Sequence, residues 1–142
     1  MRVIDQQKIE ALRNAALQMV VDEGLKGLSM QKLAGAAGVS PATIYIYYKD
    51  RNDLLNKLYL FVFDSANMAA LKGFDPQMPL AAGLKVLWLN RFRYFSAHPY
   101  PYLFAEQFIN SPLIATVEDE DKTYGNQMRL FYANAKKNNE VS

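Results

Sequence analysis

Residues 29–55, SMQKLAGAAGVSPATIYIYYKDRNDLL, constrain the fold more tightly than any other stretch of the chain. Ser29 can cap a short helix whose Met30, Leu33, Ala34 and Ala37 recur at helical spacing and form one apolar face. Gly38 ends that helix, and Val39 turns an apolar anchor back inward. Ser40 supplies a second N-cap, and Pro41 falls at the first helical position, where its missing N–H leaves no bond unmade. In this second helix Ile44 and Tyr48 stand one turn apart and can pack on the first. Ala42, Thr43, Tyr45, Ile46 and Tyr47 are then left around the outer side. The small Ala34, Gly35, Ala36 and Ala37 allow the helices to cross closely. The pair therefore reads as a helix-turn-helix with an exposed polar and aromatic face suited to DNA.

The flanking sequence supplies what such a pair needs around it. Residues 6–23 place Ile9, Leu12, Ala16, Met19 and Val20 on one face of an amphipathic helix that Gly24 and Gly27 stop. After Tyr48, Asp50 is a candidate N-cap with Asp53 in the N3 position. Leu54, Leu55, Leu58, Phe61 and Val62 then continue a long helix to about Lys72. Gly73, Pro76 and Pro79 break it. Further helices are expected over Leu80–Ala97, over Tyr102–Ile109 after His98-Pro99-Tyr100-Pro101, and from Leu113 or Glu118 to Lys137. No repeat and no sustained period-two alternation occurs, so the fold class is all-α.

Leu28, Ser29, Leu33, Ala34, Ala37, Gly38, Val39, Ser40, Thr43, Ile44, Tyr45, Tyr48, Lys49, Asp50, Arg51, Asp53, Leu54 and Leu55 together resemble the signature of TetR/AcrR-type transcriptional regulators, closely over residues 8–60 and more loosely beyond. The resemblance implies an N-terminal three-helix DNA-binding head, residues 1–53, joined by a long fourth helix to a helical effector-binding and dimerisation body, residues 54–142. Carried over position by position, it implies that Thr43, Tyr45 and Tyr47 meet phosphates or base edges and that Lys49 and Arg51 clamp the backbone. Pro41, Ala42 and Ile46 would offer apolar contact to thymine methyls, and Gln31 would read a purine edge. Arg and Asn are absent from the reading helix, so its centre lacks bidentate purine recognition. Members of this family run on through two further helices that form a four-helix dimer bundle. The chain stops where that pair would begin, so either it is a fragment or its dimer contact differs.

Composition narrows the other possibilities. The 51% hydrophobic content of 142 residues can supply a substantial core. Cysteine is absent, which removes disulfides and thiolate metal sites and makes a reducing cytoplasm the expected compartment. The N-terminus lacks the apolar run of a secretion signal, and Asn56, Lys57, Asp64 and Asn67 interrupt the most apolar later stretch, so no membrane role is expected. Residues 1–53 hold seven Lys/Arg against six Asp/Glu, so attraction to DNA must come from placement: Lys26, Lys32, Lys49 and Arg51 bracket the reading helix. So modest a charge implies few phosphate contacts per subunit and hence a homodimer on DNA.

A second constellation is aromatic: eight of the eighteen aromatic residues fall within the 21 residues from Trp88 to Phe108. Trp88, Phe92 and Phe95 share one helix face. Core packing explains such a cluster most simply. The sharper expectation is an effector pocket of Trp88, Phe92, Phe95, Tyr102, Phe108 and Met128 for a bulky apolar molecule with one polar end. Arg91 or Arg93 could anchor an anionic group of such a molecule, but a surface pair with Glu106 is the expectation. His98 is the only histidine, and Glu118-Asp119-Glu120-Asp121 reads as an acidic helix start, so no metal and no cofactor is expected. No nucleophile has a base and an orienting partner, which argues against an enzyme. The reading that follows is a ligand-responsive regulator, a repressor that binds double-stranded operator DNA as a homodimer and is released by a small apolar or amphipathic effector. A helical small-molecule binder without DNA binding is the alternative.

Overall fold

Asp5 opens the first helix. Its carboxylate accepts the main-chain N–H groups of Gln7 at 3.1 Å and Lys8 at 3.3 Å, two of the donors that every helix start leaves without partners. In the computed structural model, which describes residues 5–142, this helix is α1 (Gln6–Glu23). The four residues before Asp5, part of the opening read above for a secretion signal, lie outside the described residues. Gly24 stops α1 at a φ of 81°, a conformation that a side chain would oppose. A 3-10 turn, Leu25–Gly27, leads into α2 (Met30–Ala37), where Ser29 Oγ accepts the Lys32 N–H at 3.1 Å. Gly38 closes α2 in the left-handed region at φ 70°, and α3 (Pro41–Tyr47) begins with Ser40 Oγ accepting the Thr43 N–H at 3.2 Å.

Asp50 then caps α4 (Arg51–Ala70) by accepting the Asp53 N–H at 2.8 Å. There follow α5 (Leu80–Ala97), α6 (Pro99–Ile109), a 3-10 turn at Pro112–Thr116, and α7 (Thr123–Lys137). Every regular element among the described residues is helical, as the periodicity predicts.

Three local expectations need correction. The sixth helix starts at Pro99 rather than Tyr102, because Pro99 and Pro101 both fall in its first turn, where the missing N–H groups would have no acceptor anyway. The acidic run is no helix start: α7 begins only at Thr123, and Asp121 accepts the Thr123 N–H at 2.9 Å from outside it. In α2 Ala34 is buried and Ala37 half-buried, but Gly35 and Ala36 face outward, so two of the four small residues play no part in a close crossing.

Two compact units share the chain. The first takes the chain through Leu60 and adds Tyr100–Val117. Its core draws Leu12, Ala16, Leu17 and Val20 from α1, Met30, Leu33 and Ala34 from α2, Ile44 from α3, and Leu54, Leu55 and Leu58 from α4. Helix α6 contributes the fully buried Phe104 and Phe108, and Phe108 stacks on Tyr59 with ring centres 4.6 Å apart. Gln107 completes the attachment by donating to the Val20 carbonyl at 3.2 Å.

The second unit, Phe61–Pro99 with Glu118–Ser142, is built on Ala70, Leu87 and Phe131, with Leu71, Phe74, Leu80, Tyr124 and Met128 packed around them. Phe74 meets Phe131 edge-on at 5.0 Å. Gly83 is buried against Phe131 because any Cβ there would collide with the ring, which fixes how closely α5 and α7 approach.

Candidate nucleic-acid interface

The short helix α3 is divided cleanly between core and solvent. Ile44 is fully buried, and Tyr48, the C-cap residue, is nearly so, gathered with Leu12, Ala16, Leu54 and Leu58 around a gap too small for a water molecule. Burial raises the Tyr48 phenol above its ordinary value, since a phenolate would lose its hydration there. With those two positions fixed inward, helical geometry turns Pro41, Ala42, Tyr45 and Ile46 outward. All four are exposed, Tyr45 at 53% and Ile46 at 49%. A large aromatic and a β-branched side chain left half in water on a seven-residue helix form an unpartnered surface of mixed chemistry.

Thr43 and Tyr47 lie at the edges of this face and are half-buried. The Thr43 hydroxyl is 2.9 Å from Ser40 Oγ, so it already has a partner within the cap. Gln31 is exposed in the first turn of α2, next to Lys32.

Beyond α3 the chain turns into the start of α4, and Asp53 organises that turn. Its carboxylate accepts the Lys49 N–H at 2.8 Å and pairs with Lys57 at 3.1 Å. Burial alone would raise the Asp53 carboxyl, but the Lys49 hydrogen bond and the charges of Lys57 and Lys49 hold it below its ordinary value. Lys49 itself is exposed, with its main chain pinned by that bond. Lys57, which pattern reading passed over, lies with its ammonium 5.7 Å from the centre of the Tyr48 ring. Its one-turn spacing from Asp53 was the available signal.

Arg51 does not join the exposed group. Its Nε donates to the Leu28 carbonyl at 2.8 Å and Nη2 donates to the Leu25 carbonyl, so the guanidinium fork ties the start of α4 to the turn between α1 and α2. Lys32, another bracketing cation, forms an exposed ion pair with Glu23 at 3.4 Å.

The six aromatic and methionine residues read as an effector pocket are distributed over both units. Trp88 and Phe92 are 77% and 70% exposed on α5, Phe95 is half-buried, and Met128 packs against the Ala70, Leu87 and Phe131 cluster, all in the second unit. Tyr102 is exposed and Phe108 fully buried in the first. Arg91 makes no pair with Glu106: its Nη2 donates instead to Asn67 Oδ1 at 3.1 Å. His98 stacks on Tyr94 at 4.5 Å, and no group of acidic or histidine side chains that could hold a metal ion occurs among the described residues. No helix among them is long and apolar enough to cross a membrane.

Comparison with known proteins agrees with this geometry. Residues 12–58 match the family described as bacterial regulatory proteins, tetR family. An uncharacterized HTH-type transcriptional regulator of Haemophilus influenzae is 32% identical over 90 residues, which are 63% of this chain and 48% of that protein. The HTH-type transcriptional repressor LfrR of Mycolicibacterium smegmatis is 37% identical over 76 residues, 53% of this chain and 39% of that one. The chain thus spans about half or less of the length of these curated relatives. Among solved structures, a TetR-family transcriptional regulator from Haemophilus influenzae aligns over 95% of this chain and 75% of its own, with a TM-score of 0.76 and 27% identity. A TetR family transcription regulator from Marinobacter aquaeolei covers 96% of this chain and 69% of its own at TM-score 0.72 and 29% identity. The helix-turn-helix signature, its capped geometry and these likenesses converge: residues 12–58 match the tetR family of bacterial regulatory proteins, and nearly the whole chain is similar in fold to solved TetR-family regulators.

Proposed function

We propose that this chain is a ligand-responsive transcriptional regulator whose residues 1–53 bind operator DNA, two copies acting together, and whose remaining helices take up a small apolar or amphipathic effector that releases the DNA. The observation that carries the DNA half is the outward face of α3, with Tyr45 and Ile46 half in water above the buried Ile44 and Tyr48. A helix docked in the major groove needs such a face: hydroxyls for phosphates and base edges, and apolar groups for thymine methyls. Tyr45 fills the first role and Pro41, Ala42 and Ile46 the second. Thr43 and Tyr47 would contact phosphate from the edge, and Gln31 would approach from α2.

Lys49 is the phosphate-binding cation in this reading. Arg51 acts by holding the turn beneath it, since two of its nitrogens are committed to carbonyls. Repression rather than activation is the direction favoured, in line with the name of the relative LfrR. Two heads read two half-sites only when their recognition helices lie about 34 Å apart or a multiple of it, so an effector that prefers another spacing lowers affinity by differential binding.

The test is a gel shift with duplex DNA from upstream of the gene, run at increasing salt. A site-specific complex that weakens steeply with salt is expected. Binding that is absent, or indifferent to sequence, would leave a helical ligand binder and remove the DNA half of the proposal.

A further inference from the structure

The second unit contains a cation that has no counter-charge among the described residues. Arg91 lies on α5 one turn after the buried Leu87. Asn67 lies on α4 one turn before the buried Ala70, and Tyr124 lies on α7 two turns before the buried Phe131. At the edge of the apolar cluster of Ala70, Leu87 and Phe131, against which Tyr124 packs, one residue from each of the three helices therefore meets around Arg91. There the Arg91 guanidinium, itself half-buried, donates from Nη2 to Asn67 Oδ1 at 3.1 Å and lies 5.3 Å from the centre of the Tyr124 ring. Both partners are neutral. Asn67 is only 4% exposed, so the amide that orients the guanidinium is part of the core.

Nε and Nη1 of Arg91 meet no acceptor among the described residues, and no carboxylate there lies within ion-pair distance of the guanidinium. The acidic side chain nearest in sequence to Asn67, Asp64, is grouped with Asp119 and Asp121 instead. A partly desolvated guanidinium held by an amide and a ring gives one Nη2 proton to Asn67 and keeps the other for one bidentate edge that fits a carboxylate. Apolar surface adjoins it, because Met128 borders the apolar cluster between Tyr124 and Phe131, and Trp88 stands one turn before Arg91 on α5.

We infer that Arg91 is the anchor of an anion-recognising effector site in the second unit, and that the effector is an amphipathic carboxylic acid whose carboxylate docks on the free edge of the guanidinium while its apolar part runs along Met128 and Trp88. This rests on the ligand-responsive reading above and narrows it to one chemical class.

The experiment uses the whole chain with octanoate and octanol as probes, matched in apolar length and differing in the carboxylate. Binding is followed by calorimetry and by the emission of Trp88, the single tryptophan. Octanoate should bind at least about tenfold more tightly than octanol, a margin of the size a charge-assisted hydrogen-bonded pair supplies. Arg91→Gln should remove that preference while leaving octanol binding in place, and Arg91→Lys should restore part of it. Equal binding of the two probes to the wild-type chain overturns the anion site and leaves an apolar effector standing, and this comparison needs no variant to fold. Binding of neither probe overturns the anion site and counts against the effector half of the proposed function, whereas the gel shift on upstream DNA tests the other half separately.

Discussion

Arg51 reaches back 23 residues to donate from Nε to the Leu28 carbonyl at 2.8 Å, joining the first turn of α4 to the segment between α1 and α2. The same fork serves the Leu25 carbonyl through Nη2. That segment is the end of a 3-10 turn whose carbonyls have no α-helical partner, so the guanidinium replaces hydrogen bonds that a helix continuing past Gly24 would have made. The family resemblance implies a phosphate contact for Arg51, and its two main-chain hydrogen bonds give it a structural role.

Replacing Arg51 with Ala should destabilise the first unit by about 1.5–3 kcal/mol, the range for hydrogen bonds made by a charged group to partly buried partners. Arg51→Lys should recover little of this, because one ammonium cannot reproduce a planar fork on two carbonyls. Chemical denaturation followed by helicity is the measurement. Unchanged stability in the Ala variant would mean that the fork is not holding the turn and would return Arg51 to the set of cations available for phosphate.

The division of α3 into two faces gives opposite outcomes for neighbouring substitutions. Tyr45→Ala and Lys49→Ala should each weaken operator binding with little effect on melting, and Lys49→Ala should flatten the log affinity against log salt plot by about one unit. Ile44→Asp should unfold the first unit instead, since burying an unpaired carboxylate costs several kcal/mol. A well-folded Ile44→Asp variant would show that the inward face has been misidentified. Tyr45 and Lys49 variants that bind as wild type would place the reading surface elsewhere.

What could be read before the structure was chemistry confined to a few residues. Ser29, Gly38, Ser40 and Asp50 cap or close helices through bonds to residues at most five away, and Ile44 and Tyr48 follow from spacing on one short helix. The Arg51 fork was invisible because its acceptors are main-chain carbonyls more than twenty residues earlier, which no side-chain pattern announces. Clustering of aromatics in sequence likewise does not say which are covered: Phe108 is sealed beneath Tyr59, whereas Trp88 stands 77% exposed. Arg91 was assigned a partner by charge, yet the structure gives it an amide and a ring that sequence proximity could not indicate. Proline was over-read as a breaker at Pro99 and Pro101, where helix starts tolerate it.

Two glycines should respond to the same substitution with opposite sign. Gly35 is exposed in α2 with nothing within 4 Å of a would-be Cβ, so Gly35→Ala should stabilise the first unit by about 0.5–1 kcal/mol through helix propensity alone. At Gly83 the same gain is opposed by collision with the Phe131 ring, which is 1% exposed and edge-packed on Phe74. Overpacking of this kind costs about 1–3 kcal/mol, so Gly83→Ala should be destabilising on balance. Thermal melting of the two variants side by side decides it. A stabilised Gly83→Ala would mean that Phe131 has room to swing aside.

Asp53 should make the first unit sensitive to acid in a defined direction. The hydrogen bond from Lys49 and the charges of Lys57 and Lys49 outweigh burial and hold the folded-state carboxyl below its ordinary value of 3.8. A depressed folded value means that the ionised form is the stabilising one. Its contribution is therefore complete above the unfolded value and is lost as pH falls from there through the folded one. Asp53→Ala should cost about 1 kcal/mol at neutral pH, the usual worth of a helix-start carboxylate. Asp53→Asn should cost roughly half as much, because the amide oxygen can still accept the Lys49 N–H while the pairing with Lys57, exposed and screened, contributes little. The gap between wild type and Asp53→Asn should hold constant from neutral pH down to about pH 5, shrink as pH falls below the ordinary value of 3.8, and vanish only once the folded wild-type carboxyl has taken up its proton. Urea unfolding at a series of pH values tests this. A gap that persists unchanged at the lowest pH would show that Asp53 acts through shape and not through charge.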